Sequence, residues 1–155
     1  MTLILLVDPD LAMATALADD LTRPPRGPVA AARRWEVAVL ADFSAARARL
    51  RLRPPALLVT ALQLGDYNGL HLVYALAAAG RPTRSVVYTD TVDPVQAREV
   101  RAAGAFYEIR SRLPLVLPGY VSAVLPREDR RDAVRVDRRH LPRGGRRAAD
   151  QQPTA

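Results

Sequence analysis

The sequence predicts an α/β domain built on a doubly wound, five-stranded parallel sheet with helices on both faces. Two observations carry the prediction. Short apolar runs alternate with segments of helical period, which suggests repeated βαβ units. The first run, Thr2–Val7, is near-continuously apolar, as expected of a central parallel strand covered on both sides. A chain of 155 residues, 49% hydrophobic, is long enough for one domain with a packed core.

Each element has a local reason. Thr2–Val7 is the first strand and runs straight into Asp8, so it is read as a strand and not as a signal peptide. Asp10 can cap a helix through Leu21, with Leu11, Ala14, Leu17, Ala18 and Leu21 on one face. The proline-rich text from Arg23 to Pro28 breaks it. Trp35–Leu40 is the second strand and Phe43–Leu52 a weaker helix. Ala56–Thr60 is the third strand. Asn68 caps the third helix, with Leu70, Val73, Leu76 and Ala77 inward, His71 on its outer side, and Gly80 ending it.

Ser85–Thr89 is the fourth strand. Asp93, Pro94 and Gln96 then spell a helix start, with an Asp cap, Pro at the first helical position and Gln in the capping-box place. That helix ends at Gly104, and Ala105–Ile109 is the fifth strand. Pro114, Pro118 and Gly119 interrupt the last helix, so its regular part is expected only over Tyr120–Leu125. Strict alternation suggests the flavodoxin-like strand order 2-1-3-4-5, with a crevice at the carboxyl ends of strands one and three. Right-handed crossovers then bring Asp8, Ala61 and Thr89 to that one edge.

The chain carries a net charge of +7, and all 23 basic side chains are arginine. The Arg, Ala and Pro bias is read as coding drift in preference to nucleic-acid binding. With no cysteine there is neither a disulfide framework nor a thiolate metal site. No apolar run is long enough to span a membrane, so a cytoplasmic location is expected. Residues 1–125 are read as the domain. Residues 126–155, with nine Arg against five acids, are read as a disordered or partly helical tail. His71 and His140 have no ligand partner at helical spacing. No phosphate-binding loop or nucleophile elbow is present.

The stretch from Pro55 to Leu70, ending in Asn68, Gly69 and Leu70, resembles the third strand and following loop of a bacterial response-regulator receiver domain. So do the acid at Asp8, the Thr at Thr89, and Ala103, Gly104 and Ala105 before strand five. The resemblance covers residues 2–125 and rests on the order and spacing of these landmarks. It implies that Ala61 stands where the family's phosphorylated Asp belongs. Asp8 is the one retained acid of three at the Mg²⁺ site, and Pro9 replaces its neighbour. Thr89 matches the phosphoryl-contacting Thr. The family's Lys position falls on Ser111 by gap-free counting, or on Arg110 after a one-residue shift. The switch aromatic, three places before the Lys, falls on Glu108, with Tyr107 adjacent.

A receiver positions a carboxylate for in-line attack and neutralises phosphoryl charge with Mg²⁺ and Lys. Ala61 has no oxygen, and Asp8 alone is a poor octahedral donor set. The sequence therefore predicts a non-enzymatic, phosphorylation-independent receiver without a cofactor, acting through contacts with signalling proteins. Its interaction face, by the resemblance, is the fourth helix, fifth strand and fifth helix, carrying Val95, Arg98, Arg101, Tyr107 and Tyr120. The alternative is a nucleic-acid-associated adaptor using the Arg-rich tail, with weak attraction because acids dilute the arginines.

Overall fold

In the computed structural model, residues 1–23 and 35–125 are described. Of the predicted break over Arg23–Pro28 only Arg23 is among them, and the predicted tail over 126–155 lies outside them. Within Met1–Leu125 the strands are β1 (Thr2–Val7), β2 (Trp35–Leu40), β3 (Leu57–Ala61), β4 (Gln63–Leu64), β5 (Tyr67–Asn68), β6 (Arg84–Thr89) and β7 (Phe106–Ile109). The helices are α1 (Leu11–Thr22), α2 (Phe43–Leu52), α3 (Leu70–Ala78), α4 (Pro94–Ala102) and α5 (Leu113–Val124), the last preceded by a 3-10 turn over Arg110–Arg112.

Five strands form one parallel sheet in the order β2-β1-β3-β6-β7, the predicted 2-1-3-4-5 pattern. The two short strands β4 and β5 make a separate antiparallel hairpin in the β3–α3 connection. The sequence reading contained no such hairpin. Right-handed crossovers put α1 on one face and α2, α3 and α4 on the other, because β1→β2 and the later crossovers move in opposite directions across the sheet. The helix α5 returns to pack on α1.

The core follows from this topology. Ile4, Leu5, Leu6 and Val7 of β1, Leu57, Leu58 and Val59 of β3, and Val86 and Val87 of β6 are essentially inaccessible to solvent. Helices contribute Ala14, Leu17 and Ala18 from α1 and Leu70, Leu72, Val73 and Leu76 from α3.

Several expectations are corrected. The third strand runs one residue later than Ala56–Thr60 and includes Ala61. The α3 cap is Gly69, not Asn68. The Asn68 side chain still accepts the Leu70 amide at 2.8 Å, but from the end of β5. Ala77 is exposed and Leu72 is buried in its place. Leu11, at the very start of α1, is half-exposed.

The largest correction concerns α5, which runs unbroken from Leu113 to Val124 through Pro118. An interior proline costs roughly 3 kcal/mol in a helix. Leu113, Leu117 and Val121 recur at i, i+4 and i+8 and are 0%, 1% and 3% exposed. Burying each such side chain contributes about 1.5–3 kcal/mol, so the buried stripe outweighs the proline. Pro114 costs little, since it sits in the first turn where its missing N–H has no helical partner.

Candidate functional site

The carboxyl edge of the sheet opens into a cleft of about 760 Å³, lined among others by Asp8, Ala61, Asp66, Thr89, Asp90 and Arg110. Asp8, Ala61 and Thr89 thus meet at the edge the topology requires. Asp8 follows β1 and is fixed by its amide, which donates to the Leu40 carbonyl at 3.0 Å. Its side chain is 1% exposed. A buried carboxylate needs partners, and every oxygen here has one. Oδ1 accepts the Asp10 amide at 2.7 Å. Oδ2 accepts the Tyr88 hydroxyl and the Arg110 guanidinium, whose Nη1 lies 2.7 Å away.

Arg110 opens the turn after β7. Its Nε donates to Asp90 Oδ1, and its guanidinium carbon lies 5.3 Å from the centroid of the Tyr88 ring. Charge and π-face therefore hold the cation together. The result is a connected row: Asp90, Arg110, Asp8 and Tyr88. Burial works against the Arg110 charge. The hydrogen bond to Asp90 and the attraction of Asp8 outweigh it and raise the affinity for the proton. The Tyr88 phenol is pushed far up, first by burial and then by its hydrogen bond to Asp8 and the charge of that carboxylate. It remains a donor across the physiological range.

Tyr88 faces Ala61 across the β3–β6 register. Tyr88 carries no signal in the sequence beyond its place in the fourth strand, and the structure gives it the Asp8 hydrogen bond. Of the two registers considered for the post-β7 cation, Arg110 enters the cleft, whereas Ser111 is exposed outside it. Three residues before Arg110 stands Tyr107.

Thr89 is occupied by its own neighbours. Its hydroxyl donates to the Thr91 carbonyl at 2.7 Å and lies 2.6 Å from the Tyr107 hydroxyl. The Tyr107 hydroxyl also lies within donating reach of the Thr91 carbonyl, at 3.2 Å, and its oxygen accepts the Asp93 amide at 3.1 Å. Tyr107 thereby ties β7 to the start of α4, where Asp93 caps as predicted by accepting the Val95 and Gln96 amides.

The loop after β3 approaches the site closely. The Gly69 amide donates to the Leu62 carbonyl at 2.7 Å. A Cβ on Gly69 would lie 2.2 Å from the Ala61 carbonyl oxygen, so only glycine fits. The hairpin turns at Gly65, with φ +61°. It is pinned to α2 by Tyr67 stacked on Phe43, with ring centroids 4.6 Å apart and planes 9° apart.

Both oxygens of Asp8 are committed, Pro9 and Ala61 offer no side-chain oxygen, and Asp10 Oδ1 caps α1 by accepting the Met13 amide at 3.1 Å. Among the described residues no group of three His, Cys, Asp or Glu side chains could hold a metal.

The predicted interaction residues are not one cluster. Arg98 and Arg101 are exposed on α4. Tyr107 faces α4, while Tyr120 lies across the other face of β7, tilted against Phe106 at 5.2 Å and donating to Glu108 at 2.8 Å. Alternation along β7 forces that separation. Burial and then the Glu108 hydrogen bond push the Tyr120 phenol up to about 12.

No protein-family model and no curated protein matches the chain. Solved structures do. A two-component response regulator of the LuxR family from Aurantimonas sp. SI85-9A1 superposes with a TM-score of 0.65 at 22% identity, covering 80% of this chain and 85% of that one. A CheY-like response regulator receiver domain protein from Methanospirillum hungatei JF-1 gives 0.64 at 21% identity, covering 79% and 92%. The Vibrio cholerae chemotaxis protein CheY4 gives 0.65 at 20% identity, covering 81% and 99%. The chain has the fold of CheY-like receiver domains. Among the described residues no helix is long and apolar enough to cross a membrane.

Proposed function

We propose that this chain is a receiver-type signalling module that works without phosphorylation and acts through protein–protein contacts. The observation that carries the reading is the Arg110–Asp8 ion pair beside Ala61. A phosphoryl site needs an acceptor oxygen and cations free to meet incoming negative charge. Here the acceptor position has a methyl group, and the cation is already spent on Asp8 and Asp90. Such a pocket offers no acceptor for a phosphoryl group, so signalling through it depends on the amount or accessibility of the protein, not on a phosphoryl switch.

The Thr89–Tyr107 pair supports the same reading. Both hydroxyls are satisfied locally, so neither waits for a ligand. Affinity capture with the full chain tests the proposal. The same partners should be recovered with and without a small-molecule phosphodonor and Mg²⁺, and nuclease should not release them. Partners that appear only with phosphodonor would overturn it. Release by nuclease would favour an adaptor that works through the arginine-rich residues 126–155.

A further inference from the structure

A second concave surface lies away from the cleft. The helices α2 and α3 pack side by side, and toward their C-terminal ends they enclose a groove of about 450 Å³. Its floor is Leu50 and Leu76, and the α3 wall is built of alanines, Ala78 and Ala79 among them, whose short side chains leave the space open. Arg47 and Arg51, one helical turn apart on α2, and Arg81 beyond α3 stand on its rim. All three are exposed. None of the three side chains has an ion-pair or hydrogen-bond partner among the described residues.

The surrounding sequence is one-sided in charge. From Phe43 to Thr89 the only acid is Asp66, against six arginines, of which Arg53 is paired with Glu36 of β2 at 2.9 Å. Asp66 lines the cleft at the carboxyl edge of the sheet, whereas α2 and α3 end at the opposite edge. The groove is therefore apolar within and cationic at its rim, with no acidic side chain among its lining residues.

We propose that this groove docks an acidic amphipathic segment of a partner protein, with an apolar side chain on Leu50 and Leu76 and carboxylates on Arg47, Arg51 and Arg81. Guanidinium groups match carboxylates in two-point geometry. Exposed ion pairs are individually weak, so the apolar anchor is what makes the site selective, as in other helix-in-groove contacts. Nucleic acid is the poorer occupant, because the lining has no aromatic side chain on which a base could stack. A lipid surface is poorer too, since the groove is concave and lipid binding needs apolar side chains that protrude. The inference does not depend on the fate of Asp8 or Ala61.

Fluorescence anisotropy with the full-length protein tests it. The probe is a labelled helix-forming peptide with Leu on one face and Glu on the others, and the control replaces each Leu by Gln. The Leu peptide should bind, and should lose at least about tenfold in affinity, near 1.4 kcal/mol, with the control, with Arg47→Glu plus Arg51→Glu, and with Ala78→Trp, which fills the groove without changing charge. Melting curves establish that each variant is folded. The proposal is overturned if the Leu peptide does not bind. It is equally overturned if both peptides bind alike and Ala78→Trp is silent, which is plain charge attraction. Binding of a single-stranded oligonucleotide or phosphatidylserine vesicles with the same arginine dependence, in place of the peptide, also rejects it.

Discussion

Arg110 Nη1 lies 2.7 Å from Asp8 Oδ2 and joins the turn after the edge strand β7 to the end of the central strand β1. The Asp8 side chain is 1% exposed and that of Arg110 is 29% exposed, so the pair sits at the floor of an open cleft. A buried carboxylate stripped of its cation keeps its desolvation cost and loses its compensation.

Arg110→Ala should therefore lower the unfolding free energy by about 2 kcal/mol, the range for hydrogen bonds to charged groups. Asp8→Asn should remove most of that loss when combined with it, because the orphaned charge is gone. Urea denaturation of the two single variants and the double variant measures the coupling. Additive losses would mean that the two side chains do not stabilise each other.

Gly69 and Gly119 make opposite predictions from the same substitution. Gly69→Ala would drive a methyl into the Ala61 carbonyl oxygen, so stability should fall by about 1–3 kcal/mol. Gly119 lies inside α5 with nothing near its would-be Cβ. Gly119→Ala should raise stability by about 0.5–1 kcal/mol. Thermal melting of the two variants reads both signs.

The main sheet and most caps were legible because their signals are local. Thr2–Val7, Trp35–Leu40 and Phe43–Leu52 stand where patterning put them, and Asp10 and Asp93 cap as read. Pro118 misled because a local rule yielded to a buried stripe that only the folded sheet creates. The hairpin around Gly65 escaped because its strands have two residues each and its anchor, Phe43, is distant in sequence. At the site, nothing in the sequence singles out Tyr88. Its role depends on Asp8, 80 residues away, a pairing that no periodicity reveals. Arg110 was legible only as one of two registers, and the ion pair to Asp8 distinguishes it from Ser111.

Tyr107→Phe should loosen the β6–α4 connection. It removes the hydroxyl that meets Thr89 and accepts the Asp93 amide. Stability should drop by about 1 kcal/mol, and amide exchange should quicken over residues 89–93. Unchanged exchange there would show that Tyr107 does not hold the loop.

Tyr120 gives a pH signature. Its folded-state phenol is raised to about 12 from an ordinary 10.0, so the folded form binds the proton more tightly than the unfolded chain does. That contribution is fully present below pH 10, and is lost as pH rises through about 12. Tyr120→Phe should make stability fall less steeply across that window. Equal slopes for the two proteins would remove Tyr120 from the account.

The most direct test of a phosphorylation-independent pocket is intact mass spectrometry after incubation with a small-molecule phosphodonor and Mg²⁺. With Ala61 at the end of β3 and Arg110 bound to Asp8, the mass should not change. A stoichiometric, acid-labile gain of one phosphoryl group on any aspartate, Asp8, Asp10 and Asp66 included, would contradict the account.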